Sequence, residues 1–178
     1  MAALGYGDLL ARLKGLDEEA NLSLEGNDRY YMIVAGGSAL VLQKFRVTAT
    51  HDIDAIYSSN ELFPFLEKYD INTNVSAYIN SFPYNFEDRA VLLHNGRKID
   101  FYAASLEDIV IAKLNAMRPP NIADISSEHV LSQLDWELLE MLATDENEAK
   151  ASALNDKNYN IFLDAYDDYV RRFRPCGN

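Results

Sequence analysis

An α+β fold, with a small mixed β-sheet flanked by helices and a helical C-terminal region, is predicted by three observations. Apolar runs of strand length fall within the first 105 residues and are interleaved with helical patterns. Asn95-Gly96 separates two such runs, AVLLHNGRKIDFYAAS, as a hairpin does. From about Ser126 onward only helical periodicity remains. The expected organisation is a core over residues 1–125 and a helical region over 126–178 packed on it.

In order, Leu9, Leu10, Leu13 and Leu16 stand at helical spacing and predict the first helix. Tyr30 to Ala35 is a continuous apolar run suited to a buried strand. Gly36-Gly37 turns the chain, and a second helix opens from Ser38. HDIDAIYS reads as the second strand. Residues 60–70 read as a short helix that tolerates Pro64 in its first turn. The aromatic, polar stretch SAYINSFPYNFED has no clear period and reads as a loop with short elements. Ser105-Leu106-Glu107-Asp108 starts a helix that Pro119-Pro120 stops. The C-terminal stripes are Val130, Leu131, Leu134, Leu138, Met141 and Leu142, then Ile161, Phe162, Ala165 and Tyr169.

Composition narrows the function classes. The chain has 178 residues, 48% hydrophobic and 25% charged, enough for one well-filled core. Its net charge of −12 comes from 28 acids against 16 Lys and Arg, which argues against strong non-specific nucleic-acid binding. No apolar run approaches a membrane span, and no basic, then apolar leader opens the sequence, so a cytoplasmic protein is expected. The one cysteine, Cys176, excludes an internal disulfide. The three histidines do not cluster, and His51 reads as structural. The eleven tyrosines read as packing residues.

The chemistry concentrates in AGGSALVLQKFRVTATHDIDAI, residues 35–56. Residues two apart on a strand share a face, so Asp52 and Asp54 point the same way while Ile53 enters the core. Two carboxylates on a rigid face suit a hard cation, and Mg²⁺ binds through one or two carboxylates plus phosphate oxygens. Asp100, alone among apolar residues on the second arm of the hairpin, is the candidate third carboxylate. Gly36, Gly37 and Ser38 form a turn in which backbone can approach phosphate, with Ser38 either capping the helix or bonding a phosphate oxygen.

These motifs resemble the nucleotidyltransferase fold of polymerase β-like enzymes. The stretch from Gly36 to Asp54 is similar to the Gly-Gly-Ser/Thr-Ala-Leu and Arg-x-Thr-x-Asp-hydrophobic-Asp signature of minimal bacterial and archaeal nucleotidyltransferases, including AbiEii-type toxins. SLEDIVIAKLNAMRPPNIADI resembles that branch's downstream helix with its Lys and later acid. Where the branch carries Lys-Asp before that acid, this chain has Pro120-Asn121. The resemblance implies that Asp52, Asp54 and Asp100 bind metal and act catalytically, Asp100 also serving as general base. It further implies that Gly36, Gly37, Ser38, Arg46, Lys113 and Asp124 contact the nucleotide, with Thr48 completing the Arg-x-Thr element. The implied cofactor is Mg²⁺, with Mn²⁺ as a substitute. The implied partners are a nucleoside triphosphate, an acceptor hydroxyl on protein, tRNA or a small molecule, and a cognate antitoxin. The rival expectation is a catalytically silent member of the fold that serves as a binding or regulatory partner.

Overall fold

The structure is a computed structural model that describes residues 4–47, 51–116 and 118–176. The elements of the first part are α1 (Tyr6–Ser23), β1 (Tyr30–Ala35), α2 (Gly36–Leu42), β2 (Ile53–Ser58), α3 (Phe63–Leu66), β3 (Ile71–Asn72), β4 (Val91–Asn95) and β5 (Ile99–Ala103). The helices α4 (Leu106–Ala116), α5 (Pro119–Ile125), α6 (Glu128–Leu131), α7 (Trp136–Thr144), α8 (Ala149–Ser152) and α9 (Asp156–Phe173) follow. This is the predicted α+β class. The chain divides into two compact units, Met1–Ala77 with Arg89–Ala104, and Tyr78–Asp88 with Ser105–Asn178. The units do not follow the motif boundary at 125, because α4 packs against α5, α7 and α9.

In the first unit the five strands form one mixed sheet in the order β3-β2-β1-β5-β4. β1 lies antiparallel to β2 and parallel to β5. β2 runs parallel to β3, and β4 and β5 form the hairpin predicted at Asn95-Gly96. Met32, Val34, Ile53, Ala55, Ile99, Phe101 and Ala103 share one face and are all buried. The helices α1 and α2 pack against the sheet, and α1 buries Leu9, Leu13, Leu16 and Ala20 completely. α2 ends in a Schellman motif without glycine. Lys44 takes the left-handed conformation at φ 65°, and Phe45 N–H returns to the Leu40 carbonyl at 2.8 Å.

In the second unit α4 starts at the expected Ser105. Its hydroxyl accepts the Asp108 N–H at 3.1 Å and donates to the Asp108 carboxylate at 2.7 Å. Burial of Leu106, Ile109, Val110, Ile111 and Leu114 makes α4 the apolar centre of this unit. Pro119-Pro120 ends α4 as predicted, and it also opens α5, since proline costs nothing in a first helical turn. The short elements expected in the 78–88 stretch are 3₁₀ turns. The stretch is tied into this unit by Asn115 Nδ2 to the Ser81 carbonyl and by the Ser152 hydroxyl to the Phe82 carbonyl.

Glu107 is buried, and its carboxylate accepts the Asp135 N–H at 2.9 Å. Burial raises its pKa above the ordinary 4.5, against the lowering effect of that N–H. The folded chain therefore holds this proton more tightly than the unfolded chain. Stability from this group is greatest at low pH and falls as pH rises from the ordinary value through the raised one. Glu107→Gln keeps the acceptor and removes the charge, so its unfolding midpoint should exceed the wild type's at pH 7 and converge with it below pH 4.5. Glu107→Ala, which orphans the N–H, should lose about 1–3 kcal/mol in the same denaturation series.

Candidate active site

The turn between β1 and α2 meets the start of β2 at one point. Gly36 takes φ +61°, a conformation that L side chains rarely adopt, and a Cβ there would stand 2.7 Å from Asp54 Oδ2. Asp54 is opposite Ala35 in the antiparallel register, so its carboxylate lies against the bare glycine backbone. Ser38 closes the arrangement from beneath. It is fully buried, donates to the Ala35 carbonyl at 2.9 Å and accepts the Asp54 N–H at 3.2 Å. Ser38 does not cap α2, because the chain enters the helix two residues earlier, at Gly36. Its hydroxyl is used in fastening the Gly-Gly turn to the acid-bearing strand.

Asp52 immediately precedes β2, half-buried, and lines a cleft of about 640 Å³ with His51, Phe63, Glu67, Asp70 and Asn72. His51 is exposed at this cleft rather than packed. Asn72 on β3 sits beside Asp54 in register and makes a long 3.5 Å contact to its Oδ1. Its own Oδ1 accepts the Asn74 N–H at 2.8 Å, which fixes its orientation.

Gly36→Ala is expected to cost about 1–2 kcal/mol for the left-handed backbone alone. The new methyl also displaces the Asp54 carboxylate. Thermal unfolding and a Mg²⁺ titration should both register the change, with divalent-cation affinity falling further than the backbone penalty explains.

Asp100 is not brought to the other two acids. It is opposite Tyr31 in the parallel register of β1 and β5, whereas Asp54 is opposite Ala35. Those positions are four residues apart along β1, about 13 Å at strand rise, and on opposite flanks of it. Asp100 instead pairs with Arg29 at 2.5 Å. Among the described residues no group of three His, Cys, Asp or Glu side chains converges as a metal site. The expected three-carboxylate cluster does not form, because Asp100 stands apart with Arg29. Asp52 and Asp54 are the acids left that could hold a cation, since Mg²⁺ takes one or two protein carboxylates and completes its shell with phosphate and water.

Arg46 is half-buried, just beyond the Schellman turn, and its N–H reaches the Leu40 carbonyl at 3.2 Å. Thr48 lies outside the described residues. In the second unit Lys113 and Asp124 form an ion pair at 2.9 Å, with side chains only 9% and 15% exposed. Asn121 accepts from the same ammonium at 3.2 Å. The residue that departs from the branch pattern therefore keeps an acceptor for the lysine, and Pro120 sits where a missing N–H is harmless. Two of the three ammonium N–H groups are used within α4 and α5.

A family model described as "Nucleotidyltransferase of unknown function (DUF6036)" matches residues 11–174. The chain belongs to this nucleotidyltransferase family. The match covers the D-x-D strand and the Lys113–Asp124 pair alike. No curated protein and no solved structure matches the chain.

In this nucleotidyltransferase-family chain, sequence reasoning missed the residues that hold the sheet's far end. Asp17 of α1 is buried and accepts the N–H groups of Arg97, Lys98 and Ile99, each at 2.8 Å. Gly96 leaves the room, since a Cβ there would meet the Asp17 carboxylate at 2.5 Å. Arg29 clamps the same hairpin through the Arg97 and Gly96 carbonyls and Asp100. One signal was available. Asp17 follows Leu13 by four residues, an inward position on α1 where an acid needs a buried partner.

Proposed function

We propose that the protein is a metal-dependent nucleotidyltransferase that moves a nucleoside monophosphate from a nucleoside triphosphate to an acceptor hydroxyl. The observation that carries this reading is the fastening of Asp54 against the bare backbone of Gly36 by the buried Ser38. Asp52 and Asp54 would hold Mg²⁺, or Mn²⁺, which when bound neutralises charge at the α-phosphate and the departing pyrophosphate. The backbone of Gly36 and Gly37 would accept the phosphates closely. The acceptor oxygen forms a bond to the α-phosphorus as the bond to the β-phosphate bridging oxygen breaks, and the hydroxyl proton passes to solvent. Ser38 acts as a positioning residue. The acceptor would be a protein, tRNA or a small molecule. The resemblance to AbiEii-type toxins supports a cytoplasmic toxin with a cognate antitoxin.

A second reading, a silent member of the fold that binds a partner or nucleotide without transfer, is favoured by one observation. Asp100 is engaged by Arg29 instead of joining the acid pair. The two readings separate when the protein is incubated with each α-labelled triphosphate and cell extract, with Mg²⁺ or with a chelator. Mg²⁺-dependent label on an acceptor, lost in Asp52→Ala/Asp54→Ala, is the result expected for the enzyme. Metal-dependent binding without transfer supports the silent partner, and no nucleotide binding rejects both.

A further inference from the structure

The face of the sheet that carries Asp54 bears a stacked pair of tyrosines, and we propose that an outer face of this stack seats the nucleobase of the donor nucleotide. The inference rests on the reading of Asp52 and Asp54 as the metal and phosphate site. From the Gly36 end, the cross-strand register places Ala35 with Asp54 first, then Ile33 with Tyr57 and Tyr102, then Tyr31 with Asp100. Residues opposite one another share a face, so Tyr57, Tyr31 and Tyr102 stand on the side of Asp54. The other side of the sheet carries the buried residues Met32, Val34, Ile53, Ala55, Ile99 and Phe101.

The position of Tyr57 depends on an irregularity in β2. Tyr57 is three positions after Asp54, and in a regular strand an odd offset would send the two side chains to opposite faces. Val34 is opposite Ala55 and Ile33 is opposite Tyr57, so Ile56 is an extra residue in the ladder. This bulge turns Tyr57 round to the Asp54 face, which is what bulges beside functional sites do. There it stacks on Tyr31, with ring centroids 4.7 Å apart and planes 10° apart. Tyr31 is 38% exposed and Tyr57 is half-buried, so the flat pair is accessible at the surface.

The distance suits a nucleotide. Tyr57 lies about 10 Å along β2 from Asp54, so a triphosphate held at Gly36 and Asp54 would carry its nucleoside over the rings. Every base has a π-face, and stacking on aromatic side chains needs no hydrogen-bond match.

Calorimetry with Mg²⁺ and two kinds of probe tests the proposal: the four common triphosphates, and ribose 5-triphosphate, which lacks a base. The wild type should bind the triphosphates roughly 5- to 150-fold more tightly than the baseless probe, the worth of one stacked base. Tyr57→Leu and Tyr31→Leu should each erode that advantage and leave affinity for ribose 5-triphosphate unchanged, while Tyr57→Phe and Tyr31→Phe retain it. Unfolding midpoints check each variant. If Tyr57→Leu fails to fold, Tyr31→Leu at its exposed position carries the test. Equal affinities in the wild type, or an advantage that survives the leucine substitutions, overturn the base seat while leaving the metal and phosphate site standing. Failure of every probe to bind overturns that site and the base seat with it.

Discussion

Asp17→Ala is expected to lower stability by about 3–5 kcal/mol, because one buried carboxylate accepts three consecutive backbone N–H groups. For a chain of this length the unfolding midpoint should fall by roughly 10 °C. The geometry also predicts an intermediate variant. Oδ1 accepts from Lys98 and Ile99 while Oδ2 accepts from Arg97 alone. Asp17→Asn can keep the pair at Oδ1 but turns an NH₂ group toward the Arg97 N–H, donor against donor. Its midpoint should lie between those of the wild type and Asp17→Ala, by calorimetry or circular dichroism. Equal midpoints for wild type and Asp17→Ala would mean that the hairpin does not depend on this latch.

The largest effect on activity is expected at Asp54. Asp54→Asn preserves shape, keeps an oxygen toward Asn72 and leaves the Ser38 bond to the backbone N–H untouched. The variant should therefore fold about as well as the wild type. With one of the two carboxylates proposed to hold the metal gone, label transfer should fall by at least about 10³-fold. Asp100→Asn is the informative control. It should weaken the Arg29 clamp and lower the unfolding midpoint, while transfer by the folded protein stays near wild type. A collapse of transfer in Asp100→Asn, with Asp54→Asn active, would reverse the roles assigned to these acids.

Much of the fold was legible because its signals are local. The run Tyr30–Ala35, the Gly-Gly turn, the hairpin at Asn95-Gly96 and the Ser105 cap each follow from a few neighbouring residues, and each is present. The approach of the Gly-Gly turn to the strand that carries Asp54 was legible in the same way. Asp100 shows where that reasoning stops. Strand alternation puts it on the Asp54 face, and the register agrees, but alternation says nothing of which end of the neighbouring strand it meets. Tyr57 is the converse case. Alternation alone sends it to the wrong face, and only the bulge at Ile56 returns it.

The sequence by itself determined the class of fold, the turn-and-acid motif and the family, since these depend on residue type and short spacing. Tertiary structure decided which polar side chains are engaged by the scaffold. Ser38 became a fastening, Asp100 joined a clamp with Arg29, and Lys113 found Asp124 and Asn121. The physical reason is common to all three. A polar group's role depends on the partner that satisfies it when it leaves water, and those partners are brought near by strand register and helix packing, which no local spacing encodes.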